Sequence, residues 1–252
     1  MKEMIEMWEE IGMFIVVGFL AQLIDGALGM AYGVTSNTFL LSLGIPPAIS
    51  SSSVHIAEVF TTGVSGFSHF KLGNINKKLF LKLILPGIAG GVIGAYILTQ
   101  IPGSIIKPFI AIYLAIMGIL ILVKLFKKSE YKEVNKGLRP LAVIGGFFDA
   151  IGGGGWGPIV ASTLVANGNH PRFTIGSVNA SEFFVTLSEA ITFITILGII
   201  RWPIVVGLII GGVIAAPFAA YLCKKLPPRL LMLITGSVVI FLSVRTMVLA
   251  LL

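Results

Sequence analysis

Five carboxylates sit in stretches that are otherwise apolar: Asp25, Glu58, Asp149, Glu182 and Glu189. A charge at the centre of a bilayer costs roughly 3 kcal/mol on insertion scales. Burial disfavours the charged form of a carboxyl. Such groups suit a carrier that couples transport to protons, so Asp25, Glu58, Asp149 and Glu182 are proton-coupling candidates. Asp25 and Asp149 have a second reading, because each opens a glycine-rich stretch. These are DGALGMAYG, 25–33, and DAIGGGGWG, 149–157. There the carboxylate can instead cap broken backbone, as acidic residues do at helix starts. Glu58 and Glu182 lie eleven residues beyond Pro47 and Pro171. That is about 16 Å along a helix, near mid-membrane.

The glycines supply a second kind of chemistry. Each lowers helix propensity by about 1 kcal/mol relative to alanine. Two clusters are therefore expected to open their helices: Gly26, Gly29 and Gly33, then Gly152–Gly155 with Gly157 and Pro158. Where a helix restarts, its first N–H groups lack intrahelical partners and its dipole is positive. Those are the parts of an anion site. The candidate substrate-binding residues at the breaks are Gly29, Tyr32, Gly33, Gly153, Gly155, Trp156 and Gly157. Donors on the following polar helices could complete the shell: Ser53, His55, Ser177 and Asn179, with Thr62 and Thr186. The plainer alternatives are close helix packing for the glycines and interhelical hydrogen bonds for the hydroxyls. His55 and His69 could titrate, but two histidines with no cysteine nearby do not read as a metal site.

The elements that must position these groups are transmembrane helices. The chain has 252 residues, 56% hydrophobic and 12% charged, with mean hydropathy +0.99. Soluble domains carry about 25% charged residues. A span needs about 20 apolar residues, and such runs fill nearly the whole length. The fold class is all-α: a polytopic helical membrane protein without room for a separate soluble domain. Cys223 is the single cysteine, which excludes an intramolecular disulfide. The start, MKEMIEMWEE, lacks the basic region of a cleaved signal peptide, so the first helix is expected to stay. The net charge of +7 marks cytoplasmic loops rather than nucleic-acid binding. Its clusters are Lys71–Lys78 and Lys124–Arg139.

The chain reads as a duplication. At one constant shift Asp25 falls on Asp149, Tyr32 on Trp156, Gly33 on Gly157, Pro47 on Pro171, Ser53 on Ser177, His55 on Asn179 and Glu58 on Glu182. One inserted residue then moves the register, and Gly73 falls on Gly198 and Pro102 on Pro227. The expected organisation is a first repeat over 1–126, a basic cytoplasmic linker over 127–138 and a second repeat over 139–252. Each repeat has a broken helix, a polar helix and two apolar helices. If the broken helices cross completely, there are about eight transmembrane helices, 4+4, with both termini on the linker's side. If they are re-entrant hairpins, the repeats are inverted and the termini lie opposite the linker. The complete crossing is the expected arrangement.

The break DAIGGGGWGPIV, the turn with Pro171 and the polar helix with Gly176-Ser177 resemble the signature of the TauE/SafE sulfite exporter family, also called the toluenesulfonate uptake permeases. DGALGMAYGV followed by GIPPAISSSSV is similar to a weaker copy, departing at Leu28 and Met30. The resemblance covers about residues 11 to 250. It implies a multi-pass transporter of sulfite, organosulfonates or related small sulfur-containing anions. The expectation is a secondary transporter in the cell membrane, with a passive anion channel as the alternative. An intramembrane enzyme is a more distant rival: HExxH, GxSxG and Walker motifs are absent from the sequence. No catalytic residue and no cofactor are expected. The partners are a small anionic substrate, protons and lipid, with a homo-oligomer left open and no nucleic acid.

Overall fold

The computed structural model describes residues 2–28, 30–123, 137–161, 163–164, 167, 169–198, 201–225 and 228–251. Most of these are helical, with no strand among them. In order they form α1 (Lys2–Leu28), α2 (Tyr32–Ser42), α3 (Pro47–Lys71), α4 (Lys77–Gln100) and α5 (Gly103–Val123). After the linker come α6 (Leu138–Gly152), a π-helical turn (Gly157–Ala161), α7 (Pro171–Leu197), α8 (Trp202–Lys225) and α9 (Pro228–Leu251). Among the described residues, four helical stretches are long and apolar enough to span a membrane: Met7–Asp25, Lys77–Gln100, Gly103–Val123 and Phe173–Leu197. Large apolar side chains such as Leu85, Phe109 and Phe241 face outward, as lipid-exposed surfaces require.

Glycines set how the helices pair, because a missing side chain lets two backbones approach. Gly207 lies on Phe14 and Ile11 while Gly211 lies on Ile15 and Phe19, so α1 and α8 run parallel. Gly90 lies on Val143 and Gly94 on Phe147, so α4 and α6 are parallel too. Gly63 lies on Phe183 and Gly66 on Ala180, so α3 and α7 are antiparallel. Gly236 lies on Leu122 and Gly118 on Ile240, making α5 and α9 antiparallel.

These directions fix where each segment begins and ends. α1 and α8 start at one end of the molecule, where Glu10 and Arg201 approach to 3.9 Å. α7 therefore ends there, and its antiparallel neighbour α3 starts there. α2 joins α3 through residues 43–46, so the α1–α2 unit leaves from and returns to that same end. The opposite end receives α3 and launches α4. It also launches α6, which is parallel to α4, and α7, whose Ser177 hydroxyl accepts a hydrogen bond from the Asn76 N–H at 2.8 Å. The stretch from α6 to α7 thus also leaves and returns. Val160 packs directly on Gly145, which places the π-helical turn alongside α6 rather than beyond it.

Each break is therefore a hairpin, and this corrects the expectation that the broken helices run straight through. The reversal is made in left-handed backbone: Ala31 at φ 100°, Gly153 at φ 64° and Gly154 at φ 144°. Glycine adopts those values without penalty. A glycine run announces a break, but the direction of the next segment is set by what it packs on. The two hairpins enter from opposite ends and touch at their tips, where Gly33 lies against the backbone of Gly153 and Gly154.

Candidate functional site

The hairpin tips meet halfway along the long helices, beside Glu58 on α3 and Glu182 on α7. Between them is a cavity of about 10 Å³, lined by Asp25, Tyr32, Gly33, Glu58, Asp149, Gly155 and Glu182 among others. It has room for about one water. The lining draws two carboxyls from each half of the chain and contains no lysine or arginine.

Both aspartates hold their own hairpin. One Asp149 carboxylate oxygen, Oδ1, accepts the N–H groups of Gly155 at 2.5 Å and Trp156 at 2.9 Å. Asp25 Oδ1 accepts the Tyr32 N–H more loosely, at 3.3 Å. The capping role left open for them is what this geometry displays. The backbone donors of the breaks are thus already engaged by carboxylate oxygens from the same chain. The amides that could cradle an oxyanion cradle an internal one.

The α6 tip is held from three sides. Asn37 on α2 donates its side-chain N–H to the Gly152 carbonyl, and its own oxygen accepts from Ser50. Ser51 on α3 donates to the Ala150 carbonyl at 2.5 Å, and the Tyr113 hydroxyl on α5 approaches the Gly154 carbonyl at 3.4 Å. The α1–α2 tip is pinned by the Tyr32 hydroxyl, which donates to the Leu208 carbonyl at 3.1 Å.

Of the candidate residues, the structure brings Tyr32, Gly33, Gly155, Gly157, Asp25, Glu58, Asp149 and Glu182 onto one cavity. Gly153 lies beside it, under Asn37. Trp156 is fully buried, donates its ring N–H to the Val178 carbonyl and fills the space left by Gly87 and Gly145. The others are elsewhere. Ser53 donates to the Ile49 carbonyl of its own helix at 2.8 Å. Ser177 serves the α3–α4 connection, and Asn179 reaches Ser65 at 3.5 Å. Thr62 and Thr186 donate back to the Glu58 and Glu182 carbonyls. Gly29 lies outside the described residues.

His55 does not line the cavity. It sits behind Asp149, fully buried, with Nδ1 at 2.7 Å from the Ser51 carbonyl. Its Nε2 is 2.7 Å from Glu189 Oε2 and 3.6 Å from Asp149 Oδ2, the first contact oblique to the ring plane's N–H direction. By identity the three residues could ligate an ion. Sequence reading counted Glu189 among the buried carboxylates without giving it a partner. It gave no site role to Asn37 or Ser51, which sit in the polar runs 35–38 and 50–53, nor to Tyr113, a polar atom in an apolar stretch.

The family described as Sulfite exporter TauE/SafE matches residues 14–246 of this chain. The probable membrane transporter protein YtnM of Bacillus subtilis (strain 168) is 44% identical over 245 residues, covering 93% of this chain and 82% of that protein. The probable membrane transporter protein ORF9 of Sinorhizobium sp is 32% identical over 104 residues, 40% of each chain. The probable membrane transporter protein YdhB of Bacillus subtilis (strain 168) is 26% identical over 223 residues, 84% of this chain and 87% of that protein. No solved structure matches.

Proposed function

The chain belongs to the sulfite exporter TauE/SafE family and is a multi-pass membrane transporter, and from that premise we propose that it carries sulfite, an organosulfonate or a related small sulfur-containing anion across the cell membrane together with protons. The anion takes the place where the hairpin tips meet, displacing the aspartate oxygens from the backbone amides of Gly155, Trp156 and Tyr32.

The observation that carries this reading is the lining itself: four carboxyls, two from each half, around glycine backbone, with no basic side chain. Two unit charges 4 Å apart repel by about 4 kcal/mol at an effective dielectric of 20. An anion facing several ionised carboxylates could not stay. Facing protonated ones, it would receive O–H hydrogen bonds and carry less net charge across the bilayer. In this reading Asp25, Glu58, Asp149 and Glu182 bring the protons. The tips touch and the cavity is small, which favours an occluded carrier over an open channel.

The membrane arrangement that fits is six crossings, α3–α5 and α7–α9, with a re-entrant hairpin opening each half over 1–126 and 139–252. Exchanging the halves maps α1–α8 onto α6–α4 and leaves α3–α7 and α5–α9 paired as they are. That supports an inverted duplication, in which substrate sites lie at the repeat interface. By sequence position, only Lys2, Lys107, Arg201 and Arg245 of the 18 Lys and Arg fall at the end where α1 starts. The other end is the cytoplasmic one by the positive-inside rule.

The test is a binding screen of sulfite, sulfate, thiosulfate and methanesulfonate against purified protein. Binding of one of them that weakens in both Asp149→Ala and Glu182→Ala, which remove the O–H donors, supports the reading. Binding of none, or binding indifferent to both changes, contradicts it.

A further inference from the structure

Behind the cavity, His55, Asp149 and Glu189 form a second cluster that the anion site does not use. All three are at most 1% exposed. Asp149 Oδ2, both Glu189 carboxylate oxygens and His55 Nε2 itself have no hydrogen-bond partner, although Nε2 and Glu189 Oε2 are 2.7 Å apart. The Ser51 carbonyl can only accept, so His55 Nδ1 carries a hydrogen. Nε2 is then a bare lone pair unless the ring is doubly protonated. A lone pair does not rest 2.7 Å from a carboxylate oxygen without a proton between them. A metal ion is a poorer fit. Ligand atoms at about 2.0–2.2 Å from an ion stand roughly 3.3 Å from each other in tetrahedral geometry, whereas charge-assisted N–H···O bonds measure about 2.7–2.9 Å.

Resting on the carrier reading above, we propose that His55 and Glu189 share one buried proton, and that this is the coupling proton whose loss releases the α6 hairpin tip. With the Glu189 carboxyl swung into the plane of the ring, the proton moves along a single contact, Glu189 O–H···Nε2 to Glu189 O⁻···H–Nε2⁺, with no change in total charge. Removing it leaves a lone pair and two carboxyl groups facing one another in a dry core. Asp149 is the link outward. Its Oδ2 faces His55 at 3.6 Å while its Oδ1 holds the Gly155 and Trp156 amides. A push on one oxygen is therefore felt at the tip.

The pair breaks the duplication. His55 falls on Asn179, and the position matching Glu189 is Val64 or Ser65. One half alone has the device. α4 makes room for it, since a side chain at Gly91 would collide with Glu189 Oε1. The ionisable groups acting on His55 are Glu189 from α7, Asp149 from α6 and Glu58 on its own helix; Asp25 and Glu182 lie beyond them on the cavity, and Tyr113 from α5 lies by Asp149. α4 contributes glycine there, and Phe193 of α7 covers the ring at 5.9 Å.

Two measurements on the full chain test this. In the first, nitrogen NMR of histidine-labelled protein follows His55, identified by its loss in His55→Asn. The expected signature is an Nδ1 that stays protonated and an Nε2 whose strong hydrogen bond disappears in Glu189→Gln. A His55 that titrates as a free imidazole, unchanged by Glu189→Gln, overturns the proposal. So does binding of zinc or calcium ions that requires Glu189. In the second, proteoliposomes are assayed with radiolabelled sulfate and methanesulfonate. Glu189→Gln should retain exchange of internal for external anion and lose accumulation driven by a pH gradient, falling to the gradient-free level. Parent-like accumulation by Glu189→Gln overturns the coupling role while leaving the anion reading intact. Absence of any anion exchange by the parent, with the shared-proton signature present, overturns the anion reading instead.

Discussion

At the scale of single residues, the tip glycines differ in what they tolerate. A side chain at Gly154 would strike the backbone of Gly33 and Val34, in a backbone conformation of φ 144° that other residues avoid. Strain of that kind costs about 1–3 kcal/mol before any collision. A side chain at Gly155 would meet mainly the Tyr113 hydroxyl, the far end of a side chain that can move. Gly154→Ala should therefore abolish anion binding and lower the unfolding temperature. Gly155→Ala should weaken binding, and adding Tyr113→Phe should restore part of it. Equal loss in both single variants, with no restoration, would contradict this account of the tips. Asp149→Asn replaces a charged acceptor of two amides with a neutral one. Hydrogen bonds to charged groups contribute about 1.5–3 kcal/mol, so a clear loss of stability is expected in a detergent melt. Asp25 holds one amide at longer range, and Asp25→Asn should cost less.

At the scale of elements, the helices were legible because their signals are compositional. Prolines mark where α3 and α7 begin, and the glycine runs mark the breaks. The carboxyls on the cavity were legible too, as rare charges in apolar runs. The hairpin was not legible, because a break leaves the direction of the return to packing between segments far apart in sequence. For the same reason Ser53 and Ser177 looked like site residues. They match at one constant shift, but the Ser53 hydroxyl turns to the Ile49 carbonyl of its own helix and Ser177 serves the α3–α4 connection, so neither faces the tips. The packing also makes a prediction. Gly90 and Gly211 hold the hairpin helices against α4 and α8 through backbone contact. Overpacking of this kind costs about 1–3 kcal/mol. Gly90→Leu and Gly211→Leu should each lower thermal stability, while Gly12→Leu, on open surface, should not. Comparable melts for all three would contradict the pairing of parallel helices described here.

At the scale of the whole molecule, two hairpins from opposite ends meet in the middle, and in the proposed reading the two halves form an inverted frame around one small cavity. The frame predicts sidedness. In a Cys223→Ala background, a cysteine at Lys2 should label from outside intact cells and one at Lys128 should not; the reverse would refute the proposed membrane orientation. The frame also predicts coupling. If the cavity accepts an anion only with its carboxyls protonated, binding takes up protons, and affinity must rise as pH falls. By reciprocity the anion favours protonation by the same factor. Glu182→Gln and Glu58→Gln imitate protonated carboxyls and should flatten the dependence. The most direct measurement is the dissociation constant of methanesulfonate, whose charge is constant over the range, between about pH 5.5 and 8.5. The account predicts tightening toward low pH, by up to about tenfold per unit for one proton taken up, and a shallower slope in Glu182→Gln. An affinity that is flat across the range, or that tightens toward high pH, would contradict proton-coupled anion binding at the hairpin tips.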